Sequence, residues 1–291
     1  MSYISLPYTP KIFYGIITDT FPIFSSRKKS YVIIFGLVQC FAALGIAFKP
    51  DSSAGLVCFL ATMIYLSQAF NDVVVDGLMV SQQRLDPETG SENLQAYSWI
   101  CYGIGGALFG ILGGFFLESL SASFVFYMVA GLGLLITING LFIPMVLEEG
   151  AKEIINMGFW QRTKTNAKEI WYGLKIRPLY RCIIFFFIFS GVIPSYSDYF
   201  YYYLTDVLEF SDFQYSILNV VSTFTLIIAV YFYNLWFKDI ESAWMLIACC
   251  VINIIGSINS MLLVLGFTFG MSPDAFVFLS NTVTDTLNNC I

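Results

Sequence analysis

Five ionisable side chains, Lys11, Asp72, Asp76, Asp198 and Asp285, stand inside stretches of sequence that are otherwise strongly apolar. A charge at the centre of a bilayer costs about 2.5–3.5 kcal/mol on the insertion scale, so together they oppose insertion by on the order of 10 kcal/mol. Packing alone is better served by Leu. These residues are therefore expected to face a polar pathway between helices, the alternative being buried structural pairs. Asp72 and Asp76 are four residues apart and so share one helix face, one turn above the other. Two carboxylates so placed resist being charged together where water is scarce, which lets one hold a proton near neutral pH and suits proton coupling. For Asp76, nearer its helix end, pairing with a basic loop is the competing reading. Asp198 follows Pro194, a local break that frees backbone carbonyls inside a bundle. Asp285 sits about midway along its own apolar stretch.

Other chemistry has little to build on. The chain has no His, which removes Ser-His, Cys-His and imidazole–metal arrangements. Neither the two-carboxylate motif of intramembrane aspartyl proteases nor the Gly-x-Ser-Gly of rhomboid-type proteases occurs, and there is no P-loop. No enzyme activity, cofactor or metal is implied. The seven cysteines (Cys40, Cys58, Cys101, Cys182, Cys249, Cys250 and Cys290) lie at irregular spacing in apolar stretches, as reduced thiols packed among helices do.

The elements that must position the charges follow from composition. Of 291 residues, 57% are hydrophobic and 12% charged, where a soluble domain carries about 25% charged. The solvent must be lipid. A membrane-crossing helix needs about 20 mostly apolar residues, and nine such stretches are read at 5–22, 31–48, 55–80, 94–117, 121–146, 179–206, 213–237, 242–268 and 274–291. Cations test the parse, because Lys and Arg in short loops collect on the cytoplasmic side. With Arg27, Lys28 and Lys29 inside, Arg84, Lys152, Arg162, Lys164, Lys168, Lys175, Arg177, Arg181 and Lys238 fall inside too. Lys49 alone is outside, Lys11 lies within a span, and the outer loops carry acids such as Asp51, Glu118 and Asp206.

The expected organisation is an N-terminal bundle of five spans over 1–146, a cytoplasmic basic and amphipathic linker over 147–178, and a C-terminal bundle of four spans over 179–291. In the linker, Phe159, Trp160, Trp171 and Tyr172 interleave with Arg162, Lys164, Lys168 and Lys175. Beside two spans this pattern predicts a helix at the lipid headgroups rather than a nucleic-acid patch. In the fourth span Gly103, Gly105, Gly106, Gly110, Gly113 and Gly114 form overlapping small-xxx-small patterns that let two helix backbones approach.

Tyr14-Gly15-Ile16-Ile17-Thr18-Asp19 followed by Arg27-Lys28-Lys29 resembles the Gly-x-x-x-Asp plus basic cluster between the second and third helices of the major facilitator superfamily. More of the chain is similar to one branch, the folate-biopterin transporters. The likeness runs through Lys11, Asp19, Pro22-Ile23, Tyr31, the run Asp72-Val73-Val74-Val75-Asp76-Gly77, Leu94-Gln95 with Trp99, and Pro194 with Asp198 and the aromatic run to Tyr203. The resemblance implies an all-α polytopic membrane protein, a partial major-facilitator-type bundle of about nine transmembrane helices, with the family's first helix and last two missing.

It also implies a secondary transporter of pterins or folates working by alternating access, with protons as the expected coupling partner. Gly15, Asp19, Arg27, Lys28 and Lys29 would form the inward gate. A pterin's 2-amino-pyrimidinone edge offers two parallel N–H donors that a carboxylate accepts in bidentate fashion, for which Asp72 or Asp198 serves. Lys11 is the membrane-embedded cation available to a folate tail. Trp99, Tyr199 and Tyr201 are candidates for stacking on the ring, and Asp285 completes the candidate substrate contacts. A carrier of another small organic solute and a truncated, non-transporting membrane protein are the alternatives. Plasma membrane and organelle membrane both remain open.

Overall fold

The computed structural model describes residues 4, 6–24, 26–48, 53–83, 90–144, 159–192, 197–237 and 240–289. Apart from one isolated bridge between Ile23 and Ser26, the regular elements among them are helices. A 3-10 turn at Leu6–Tyr8 precedes α1 (Lys11–Thr20), α2 (Lys29–Phe48), α3 (Ala54–Gln83), α4 (Gly90–Ser119) and α5 (Ala122–Phe142). Then come α6 (Phe159–Lys175), α7 (Arg177–Val192), α8 (Ser197–Tyr202) running into a π turn at Tyr203–Val207, and α9 (Asp212–Phe232) running into another at Tyr233–Phe237. The last elements are α10 (Ser242–Val264) and α11 (Pro273–Asn289).

Among the described residues, six helices are long and apolar enough to cross a membrane: α2, α3, α4, α5, α9 and α10. Their outer faces present large apolar side chains such as Leu108, Ile111 and Phe115 to the surroundings, a surface that only lipid accommodates. The chain is an all-α integral membrane protein. The stretch read as a span over 5–22 is divided instead: Pro10 lacks a backbone donor and stands just before α1, whose 10 residues reach about 15 Å. The stretch 179–206 is split between α7 and α8, with 193–196, Pro194 included, outside the described residues. The stretch 274–291 is represented by the 17 residues of α11.

Two compact units emerge, Met1–Gly90 with Ala122–Ser195, and Ser91–Ser121 with Tyr196–Ile291. In the first, α2 packs against α3 and α5, and α1 against α3. Phe70 of α3 is the centre of its core, stacked at 4.1 Å on Tyr14 and 4.0 Å on Phe35. A second cluster joins Cys40, Ala43 and Ile46 to Ile64 and Ala130. Glycines set the α2–α5 distance: a Cβ on Gly133 would lie 2.8 Å from the Cys40 nitrogen and 2.9 Å from the Gly36 carbonyl oxygen. Helix α6 rests on α1, Asn166 Nδ2 donating to Thr20 Oγ1 at 3.1 Å. Trp160, Trp171 and Tyr172 stay exposed, and Lys175 lies 5.2 Å over the Trp171 ring.

In the second unit, α11 packs on α9 and α10 around Leu204, Phe210, Leu263, Phe276 and Val277. Gly103, Gly106, Gly110 and Gly114 of α4 face Ile227, Thr223, Val220 and Ser216 of α9, where added Cβ atoms would come within 2.5–2.9 Å. The numbering falls on one helix as it rises on the other, so the pair is antiparallel. A Cβ on Gly105 or Gly113 would meet no atom of a described residue within 4 Å. Helix α9 starts on a reciprocal capping box in which Ser211 Oγ accepts from the Gln214 N–H and the Gln214 side chain accepts from the Ser211 N–H. Ser211→Ala is expected to cost about 1 kcal/mol, measured as a lower melting temperature in detergent; an unchanged value would show that α9 is held by packing alone.

Candidate functional site

The first polar constellation lies where α1 meets α3. Lys11 opens α1 with its cation at the end of a helix dipole that disfavours it. Three neighbours compensate. Lys11 Nζ forms an ion pair with Asp72 Oδ2, sits 4.7 Å over the Tyr8 ring, and lies with Asp72 within electrostatic reach of Asp76 one turn along α3. The paired side chains are 39% and 46% exposed, so the pair is not sealed in the core. Tyr14 OH donates to the Pro7 carbonyl at 2.9 Å, tying the segment that carries Tyr8 to α1. Asn71, next to Asp72, is 8% exposed, and neither of its side-chain polar atoms has a partner among the described residues. Such a group costs about 1–3 kcal/mol.

The basic cluster holds backbone. Lys28 Nζ donates to the Gly77 carbonyl at 2.5 Å and to Ser81 Oγ at 3.4 Å. A Cβ on Gly77 would stand 2.9 Å from that ammonium, so the glycine makes room for it. Lys29 Nζ donates to the Leu141 carbonyl at 2.7 Å and to that of Ile143 at 3.4 Å. Lys29 thus meets carbonyls at the C-terminal end of α5, the favourable place for a cation, whereas Gly77 lies within α3 and its carbonyl also accepts from Ser81 Oγ at 2.9 Å. The bend before them is fixed by Ser30 Oγ on the Ile23 carbonyl at 2.7 Å and Tyr31 OH on the Phe21 carbonyl at 2.8 Å. Asp19, in the last turn of α1, is partly buried and makes no ion pair among the described residues. Arg27 is partly buried, and Gly15 lies against Val73, where a Cβ would meet Cγ1 at an ordinary 3.6 Å.

The second constellation is in the other unit. A cavity of about 260 Å³ is lined by Tyr201, Tyr215, Asn253, Asn281, Thr284 and Asp285, among others. Asn281 and Asp285 are four apart and share a face of α11. Ser222 Oγ of α9 donates to Asp285 Oδ2 at 2.6 Å, and Tyr201 meets Tyr215 edge to face at 4.9 Å. A larger apolar cavity of about 490 Å³ involves Tyr199, Tyr203, Met261 and Val264, and shares Phe200 and Ser260 with the polar one. The π turn beginning at Tyr203 borders both, an irregularity frequent at functional sites.

Of the residues read from sequence, Lys11, Asp72 and Asp76 are thus brought together, and Asp285 and Tyr199 line neighbouring cavities. Trp99 is exposed on α4 with Tyr102 edge-on at 5.8 Å and lines neither cavity. The side chain of Asp198 and the loop cations Lys49, Arg84, Lys152 and Lys238 lie outside the described residues. Sequence reasoning missed Asn71, Ser222 and Asn281. Their signal was polarity within apolar stretches, weak because each is neutral.

Known proteins agree with the resemblance read from the residues. The chain is 24% identical over 294 residues to probable folate-biopterin transporter 7 of Arabidopsis thaliana, covering 97% of this chain and 64% of that protein. It is 26% identical over 236 residues to the folate-biopterin transporter of Synechocystis sp., covering 80% and 46%. With folate transporter 2 of Plasmodium falciparum it shares 24% over 294 residues, covering 98% and 62%. The chain therefore spans about half to two thirds of the length of these relatives. No solved structure matches it significantly. The model of the BT1 family matches residues 1–290, a range that takes in both the charged cluster and the polar cavity, and the chain belongs to the BT1 family.

Proposed function

We propose that this chain carries pterins or folates across a membrane by proton-coupled alternating access. The substrate class comes from the names of its relatives. The observation that carries the mechanism is the half-exposed Lys11–Asp72 pair with Asp76 one turn away. A carboxylate of the folate tail competes with Asp72 for Lys11. Once displaced, Asp72 lies beside a second carboxylate without its counter-ion, and taking up a proton relieves the repulsion. Releasing the substrate restores the ion pair and expels the proton, which links the two fluxes.

In this reading the halves 1–146 and 179–291 rock against each other, joined by 147–178 on the cytoplasmic side. The glycine face of α4 lies against α9 within the second compact unit and lets the two backbones pack closely. Lys28, bonded to the C-terminal third of α3, and Lys29, bonded to the end of α5, hold the inner end that Gly15, Asp19 and Arg27 also border. The test is uptake of tritiated folate and biopterin in a host lacking its own transporter. Accumulation is expected to fall several-fold when a protonophore collapses the gradient. No uptake above the empty-vector level would overturn the transport reading, and uptake indifferent to the protonophore would overturn the coupling.

A further inference from the structure

We infer that the polar cavity around Asp285 is the seat of the pterin ring, read by Asp285 and Asn281 with Ser222 as positioning residue. This deepens the proposed function and rests on it. The argument begins with size. A cavity of about 260 Å³ lies below the roughly 300–1,000 Å³ of pockets that enclose drug-sized ligands, so it takes a bicyclic head group rather than a whole folate.

Hydrogen-bonding capacity points the same way. Ser222 Oγ occupies Oδ2 of Asp285 with one hydrogen bond, which orients the carboxylate and leaves Oδ1 with no partner among the described residues. An ionised carboxylate has about four acceptor positions, enough for both the 2-amino N–H and the N3–H of a 2-amino-4-oxopyrimidine. One turn away, the Asn281 amide makes no hydrogen bond with a described residue. Side chains at i and i+4 stand about 5–6 Å apart at Cβ, the width of a heterocycle, so this amide donates to the 4-oxo group while Asp285 accepts from N2 and N3. The adjoining Tyr201–Tyr215 corner supplies aromatic surface for the bicycle, and the neighbouring apolar cavity leaves space for a ring substituent.

The experiment compares tritiated pterin with lumazine, which carries a carbonyl in place of the 2-amino group, for binding to the full 291-residue chain in proteoliposomes. Wild type is expected to favour pterin by about 10- to 100-fold, the range of one hydrogen bond to a charged group. Asp285→Asn presents a donor where the carbonyl of lumazine arrives, so the preference should fall to about unity or invert. Asn281→Ala should weaken both ligands about equally, because both carry the 4-oxo group. Ser222→Ala, which keeps the carboxylate and loses its orientation, should reduce the preference part way and provides the test should Asp285→Asn fail to fold. A full wild-type pterin preference in Asp285→Asn, or in Ser222→Ala should the first variant fail to fold, overturns this assignment alone. Binding of neither ligand by wild type overturns it together with the transport reading.

Discussion

Replacing Lys11 by Met is expected to lower folate uptake by at least about 100-fold while leaving the protein folded. Both partners of the Lys11–Asp72 pair are more than one third exposed, and exposed ion pairs contribute only about 0–1 kcal/mol to stability. Helix content and melting temperature should therefore barely move. The transport loss is larger because Lys11 is the cation proposed to receive the substrate carboxylate, and hydrogen bonds between charged groups are about twice as strong as neutral ones. Asp72→Asn should behave differently. It leaves Lys11 free of its internal competitor, so equilibrium binding of tritiated folate is kept or strengthened, while proton-driven accumulation falls about 10-fold or more. Binding and uptake measured on the same two variants separate these roles. Loss of binding in Asp72→Asn with retention in Lys11→Met would reverse the assignment, and equal effects on melting temperature alone would leave the pair as a structural staple.

How far these features could be read from sequence depends on what each residue costs. Lys11 and Asp72 were legible because an ionisable group within an apolar stretch is expensive wherever it points; their pairing, across 61 positions, needed the fold. Asn71, Ser222 and Asn281 are neutral, cost little on that scale and left no comparable mark. Lys28 and Lys29 were legible as a basic cluster, but their targets are carbonyls of Gly77, Leu141 and Ile143, and a backbone acceptor has no sequence signature. The division of the first stretch at Pro10 was legible in principle, since proline ahead of α1 removes a donor; hydrophobicity averaged over 5–22 conceals it. The glycines of α4 declared themselves by density, whereas Gly36, Gly133 and Gly140 are scattered over two helices and become a crossing only when α2 and α5 are set side by side.

That crossing carries the largest expected effect on folding. A Cβ at Gly133 falls 2.8 Å from the Cys40 nitrogen, 2.9 Å from the Gly36 carbonyl oxygen and 3.1 Å from the Cys40 Cα, and one at Gly36 falls 2.9 Å from the Thr137 nitrogen. These obstacles are backbone atoms within helices, so no rotamer change relieves them. Gly133→Ala must separate α2 from α5, and overpacking of this kind costs about 1–3 kcal/mol; Gly133→Leu adds bulk where none fits and is expected to leave little monodisperse protein after detergent extraction. Gly105→Ala and Gly113→Ala serve as controls, because open space surrounds both positions and alanine gains about 1 kcal/mol in helix propensity over glycine. Melting temperature and size-exclusion profile should therefore move in opposite directions for the two pairs of variants. Since α2 is continuous with the bend that holds Lys28 and Lys29, and α3 packs on its other side, widening the α2–α5 gap should also weaken the bonds from Lys29 to the end of α5. A Gly133→Leu protein that melts with wild type would mean that α2 and α5 do not cross at these glycines.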